Sequence, residues 1–199
     1  MTESLPRLAS AIGLFDAANQ LDPNFDEGRP KELLYSERMS AMLLRFAPDA
    51  DEVAQLAVRA QHIRRWVVPR DSYPATREGY LMWRKGLYKF HADEAARLMR
   101  DAGYDEATIE RVVAAVSKRG IKANADTQLL EDVSALVFIE HYLFAFAQTK
   151  TDYDEAKWID IIAKTWKKMS VAAHAFALSG KLVLPTTLVP LIVKAVEGK

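Results

Sequence analysis

Four histidines stand in the chain, His62, His91, His141 and His174, and two of them sit among charged residues. Imidazole near carboxylates suits acid–base chemistry or a divalent metal ion. The carboxylates best placed to join His62 and His91 are Glu131 and Asp132, early in a strongly apolar helical stretch. The same pair reads equally well as side chains held by the positive end of a helix dipole. A second group is basic and aromatic. Arg59, Arg64, Arg65, Arg70, Arg77 and Arg84 crowd one segment, with Trp66, Tyr73, Tyr80 and Trp83 between them. Guanidinium groups grip phosphate or carboxylate with two parallel N–H donors and stack on aromatic faces. Arg59, Arg65, Arg70 and Arg84 are therefore candidate anion-binding residues. Arg59 lies three residues before His62, which would put both on one helical face. An ordinary solvated surface with scattered ion pairs explains the same composition. Lys164 and Lys167 belong to a further basic run around Trp166, which also reads as a solvated stripe.

Several chemistries have no support. There is no phosphate-binding glycine loop, no dinucleotide fingerprint, no HExxH and no GxSxG. Cysteine is absent, which removes disulfides, thiolate metal sites and a thiol nucleophile, and fits a reducing cytoplasm. Lys plus Arg number 27 and Asp plus Glu 27, so the net charge is zero. That balance disfavours a polybasic membrane binder and an extended nucleic-acid coat, though not a local basic pocket.

The elements that must position these residues are helices. With 199 residues, 50% of them hydrophobic and 27% charged, the chain suits one globular domain with its own core. Leu8, Ile12, Phe15 and Asn19 recur at helical intervals in a helix from Leu5 to Gln20. A loop over 22–29 precedes a helix from Pro30 to about Phe46. Asp51 caps a third helix running to Trp66, and the proline-bearing loop 67–76 follows. A long helix spans Arg77 to about Ala102 and is closed by Gly103; Asp105 caps the next, to Arg119. Asp126 or Thr127 opens an apolar helix reaching Gln148. Asp152 or Asp154 starts another, through Leu178, and a short one begins near Pro185 or Thr186. No strand alternation, internal repeat, signal peptide or membrane-spanning run competes with this reading. The expectation is a single all-α domain over residues 1–199, a helical bundle.

The order of these residues resembles the HD superfamily of metal-dependent phosphohydrolases. Leu34-Tyr35-Ser36-Glu37-Arg38-Met39 is similar to its first-histidine helix, with Tyr35 in the histidine place. Ala60-Gln61-His62-Ile63 is similar to its His-Asp segment, with Ile63 in the aspartate place. The stretch from His91 to Tyr104 is similar to the helix pair that follows, and Leu130-Glu131-Asp132-Val133 to the segment bearing the last aspartate. The resemblance implies an HD-like fold and a divalent metal ion on His62, His91 and Asp132, with Glu131 or Glu37 as a further partner. His62, His91, Glu131 and Asp132 would then be catalytic, on a small phosphorylated or nucleotide-like substrate. Longer strings resemble a family described as a domain of unknown function (DUF 4202): Gln61-His62-Ile63-Arg64-Arg65-Trp66, Phe90-His91-Ala92, Leu130-Glu131-Asp132, and Lys164-Thr165-Trp166-Lys167-Lys168-Met169-Ser170. That resemblance implies no activity. Two readings stay open: a phosphohydrolase-like enzyme, and a non-catalytic binder of a small anion or, less favoured, an RNA segment at the Arg and aromatic cluster. In the second, His62 and His91 are hydrogen-bonded members of a buried polar network.

Overall fold

The computed structural model describes residues 4–149, 153–185 and 188–197. Its contacts divide the chain into two compact units, Met1–Leu130 and Glu131–Lys199. The architecture is helical throughout, as the periodicity predicts; the strands among the described residues are two residues long each. None of the described helices is long and apolar enough to cross a membrane.

The first unit starts with α1 (Ser4–Asn19), which buries Ala11 and Phe15 completely. The loop after it contains a hairpin that the sequence reading misses: β1 (Phe25–Asp26) pairs antiparallel with β2 (Arg29–Pro30). Glu27 and Gly28 both take positive φ, 49° and 72°, as a tight two-residue hairpin turn requires. Two-residue strands are too short to show alternation. α2 (Lys31–Phe46) follows, and Pro30 at its start offers no side-chain cap. Asp22 does the work from a distance: its Oδ2 accepts from the Glu32 N–H at 3.0 Å. Its Oδ1 takes the Asn24 backbone and side-chain donors, both at 2.9 Å.

Asp51 caps α3 (Glu52–Ala60) through the Ala54 N–H at 3.0 Å. The helix stops at Ala60 rather than running on to Trp66. Arg64 takes a left-handed conformation at φ 50°, and its N–H donates to Oδ1 of Asn19 at 3.0 Å. A contact from 45 residues away thus overrides local helix propensity. It also explains Asn19, a fully buried polar residue on the core face of α1. The loop after Arg64 holds two short 3₁₀ turns, Arg65–Val67 and Arg70–Ser72. Thr76 caps α4 (Arg77–Asp101) by accepting from Gly79. A Cβ on Gly79 would sit 2.2 Å from the Pro74 carbonyl oxygen, so glycine alone lets this loop close onto the helix. Gly103, at φ 82°, ends α4, and Asp105 caps α5 (Glu106–Val116), both as read from the sequence. α5 ends three residues before Arg119, at a turn where Lys118 has φ 60°. Phe15, Met39, Met42, Leu56, Ile63, Leu87, Met99 and Ile109 fill the core.

α6 (Ala125–Val137) is opened by Asn124, whose Oδ1 accepts from Thr127, rather than by Asp126 or Thr127. Helix continues through a π turn at Phe138–Tyr142 into α7 (Leu143–Thr149). In the second unit Asp154 caps α8 (Glu155–Trp166), while Asp152 lies outside the described residues. The predicted helix through Leu178 is broken in two. Ser170 accepts from the Ala173 N–H and starts α9 (Val171–Leu178) afresh. α10 (Val189–Glu197) begins past Pro185, and Thr186 lies outside the described residues.

Candidate functional site

The early stop of α3 is what builds the site. His62 sits in the turn beyond the helix, so it does not share a helical face with Arg59. Arg59 points elsewhere and clasps Asp16 with Nε and Nη2 at 2.6 and 2.7 Å. The ring of His62 stacks on Tyr35 of α2, centroids 4.2 Å apart and planes at 14°. Its Nδ1 lies 3.3 Å from Oε2 of Glu32. Its Nε2 lies 3.3 Å from Nη1 of Arg65. The guanidinium of Arg65 rests over Trp83, 4.9 Å from the ring centroid, and Trp83 is itself pinned by donating Nε1–H to the Val68 carbonyl at 2.8 Å. His91 of α4 closes the cluster with its ring 5.8 Å from that of His62.

The tautomers follow from these partners. Arginine only donates, so Nε2 of His62 must present its lone pair and Nδ1 must carry the proton toward Glu32. His91 faces the carbonyl of Ile63 with Nδ1 at 2.8 Å. A carbonyl only accepts, so Nδ1 of His91 holds the proton and Nε2 is a bare lone pair. That nitrogen is buried and has no hydrogen-bond partner.

Burial sets the charges. Glu32 is 6% exposed, and desolvation pushes its carboxyl up to about 7, against the pull of Arg65 and with a push from Asp22. His62 is held well below the usual histidine range by burial first, then by the positive charges of Arg65, Lys118, Lys31 and Arg84. His91 falls to about 3, again chiefly through burial. The cluster therefore holds two neutral imidazoles and a carboxyl that titrates near neutrality, with Arg65 as the cation at its edge. Side-chain exposures of 31% for Arg65 and 25% for His62 show where solvent reaches it.

The other candidates have partners of their own. Arg70 folds back on its own loop, donating to the carbonyls of Tyr73 and Pro74 at 2.9 and 2.8 Å. Arg84 donates to the hydroxyl of Tyr88. Glu37 is paired with Arg29 at 2.6 Å. In the second unit, Oδ1 of Asp132 accepts from the Ser170 N–H at 2.7 Å, and Glu131 lies 3.5 Å from Lys168. Lys164 pairs with Asp160 at 2.6 Å, and Lys167 is exposed. Glu32 and Asp22 are absent from the sequence reading. The one available signal for Glu32 was its place three residues before Tyr35, on the face that the resemblance already singled out.

A family model described as a domain of unknown function (DUF4202) matches residues 9–192. The chain belongs to that family. The four strings that carried the resemblance all fall inside the matched span, and two of them, around His62 and His91, supply the cluster in the first unit. No match was found among curated proteins or among solved structures.

Proposed function

We propose that this protein recognises a small anion, a phosphate or carboxylate group, at Arg65. The observation that carries the reading is the state of that guanidinium. It is stacked on Trp83, tethered by one N–H to His62, paired through Nε with Glu32 at 4.0 Å, and partly open to solvent. Its Nη2 donates to none of the described residues, so an edge of the planar fork is available. An arginine stacked on an aromatic ring has lost most of its rotamer freedom before a ligand arrives, which reduces the entropy cost of binding. Calorimetric titration of the full chain with inorganic phosphate tests this. Arg65→Lys keeps the charge but not the fork, and it should weaken binding about tenfold, on the scale of one charge-assisted hydrogen bond. Equal affinity in the variant would show that the anion sits elsewhere.

A hydrolytic version, the phosphohydrolase activity that the HD resemblance implies, draws support from a different observation. Glu32 and His62 form an oriented carboxyl–imidazole pair, and a carboxyl titrating at about 7 can give or take a proton at neutral pH. The metal of HD enzymes does not fit the donors present. Tyr35 stacks its ring on His62, and Ile63 puts a fully buried alkyl side chain where an aspartate would ligate. Among the described residues no group of three or more His, Asp or Glu side chains is arranged to hold a metal ion. Turnover of phosphomonoesters or nucleotides by the wild type, lost in Glu32→Gln and His62→Ala, would support this version. Turnover that persists in both variants would contradict it.

A further inference from the structure

Resting on the anion reading of Arg65, we propose that the ligand carries a second anionic group, seated in the cleft between α4 and the turn after α5 by Lys85, Lys89 and Arg119. The ligand class is a small molecule with at least two phosphate groups. The cleft has a volume of about 420 Å³; Tyr88 and Ala92 of α4 give it an apolar wall, and Lys85, Lys89 and Arg119 bring three cations to it. Asp93 is the one carboxylate that lines it. Lys85 has no ion-pair partner among the described residues. Lys89 is held by Asp93 at 2.5 Å and Arg119 by Glu110 at 3.0 Å. Both of those pairs are exposed, so each is worth little and yields to a multiply charged phosphate.

Helical geometry joins this cleft to Arg65. Along α4, Trp83, Leu87 and His91 form one stripe, and it meets Arg65 and His62. Arg84 and Tyr88, bonded to each other, form the next stripe. Lys85, Lys89 and Ala92 form the one beyond it, about 10 Å around the helix surface from the first. On the facing wall Lys118 stands between Ser117 and Arg119, which line the cleft. Its charge, like that of Arg84, reaches His62. A chain of zero net charge thus gathers cations along one path, from Arg65 past Arg84 and Lys118 to the cleft. One phosphate on Arg65 leaves the far end of that path unfilled. Two linked phosphates engage both ends, the second at the high effective concentration that the first confers.

The experiment is isothermal titration of the full chain with inorganic phosphate and with linear tetraphosphate, which is long enough to reach both ends. Tetraphosphate should bind about 100-fold tighter than phosphate. The double variant Lys85→Ala, Arg119→Ala should lose about tenfold in tetraphosphate affinity and leave phosphate affinity unchanged. Both positions are exposed, so the variant keeps the fold. Lys157→Ala with Lys194→Ala removes two exposed cations from the second unit and should change neither affinity. Phosphate binding at Arg65 with tetraphosphate no tighter, or tetraphosphate weakened equally by both double variants, overturns the inference and leaves the Arg65 site standing. Tetraphosphate binding lost in the Lys85 and Arg119 variant but kept in Arg65→Lys overturns the Arg65 reading and the link between the two ends. No binding of either anion overturns both.

Discussion

In the first unit Glu32 and His91 are buried beside half-buried His62, around a guanidinium that reaches solvent. In the second, buried Asp132 and half-buried His174 are spent on backbone. Asp132 accepts from the Ser170 N–H at 2.7 Å. His174 donates Nε2–H to the Trp166 carbonyl at 2.8 Å and stacks on the Trp166 ring, centroids 4.1 Å apart. These bonds tie down the turn where α8 ends and α9 begins. The residue types are the same; their use is not. A carboxylate that satisfies a buried N–H holds structure together. A carboxyl driven up to about 7, beside an imidazole nitrogen with no partner, is costly to the fold and is the kind of arrangement that binding or proton transfer exploits.

The largest effect expected from breaking this contrast comes at Ile63. Ile63→Asp restores the aspartate of the HD pattern but puts a charge at a fully buried position. A loss of about 5 kcal/mol in urea unfolding is expected. A variant of wild-type stability would mean that the surroundings accept an anion, and the HD-type reading would gain.

The two titrating groups come next, with opposite signs. His91 has its folded value lowered to about 3 from 6.5, so its contribution is full above 6.5 and is lost as pH falls toward 3. That loss is on the order of 5 kcal/mol, and His91→Gln should remove it. Glu32 is raised to about 7 from 4.5, so its contribution is full below 4.5 and is lost as pH rises to 7. Glu32→Gln should remove a decline of about 3 kcal/mol over that window. Between pH 4.5 and 6.5 the two oppose each other, so urea midpoints of the single variants against pH separate what the wild type alone conceals. A flat profile in the wild type at both ends would contradict the burial of both groups.

In the second unit Asp132→Ala strands the Ser170 N–H and should cost about 2 kcal/mol in thermal or urea unfolding. If Asp132 were instead an uncompensated functional carboxylate, its removal would leave stability unchanged or raise it.

Much of the scaffold was legible because it is written locally. Asp51, Asp105 and Asp154 cap helices by their own side chains, and Gly103 supplies a positive φ that other residues avoid. The break before α9 was hidden because no glycine or proline marks it between 155 and 178, and only the Ser170 side chain starts the helix afresh. The end of α3 was hidden for a stronger reason: the bond from Arg64 to Asn19 is made across the fold. The site inherits that difficulty. His62, His91 and Arg65 could be named from residue type, but Glu32 meets them only through tertiary packing, and no spacing rule links position 32 to position 62. Arg59 and Arg70 looked equivalent to Arg65 in the sequence. Only partners distinguish them: Asp16 for Arg59, loop carbonyls for Arg70, and His62, Glu32 and the Trp83 ring for Arg65.

The most direct test sets the two regions against each other in one titration. Phosphate affinity at pH 7 is measured for the wild type, Arg65→Ala and Asp132→Ala. The account predicts that Arg65→Ala loses binding by 10- to 100-fold, roughly 1.5–3 kcal/mol, with little change in stability, while Asp132→Ala binds like the wild type despite its lower stability. Binding lost in Asp132→Ala and retained in Arg65→Ala would contradict it and return the site to the aspartate of the HD pattern.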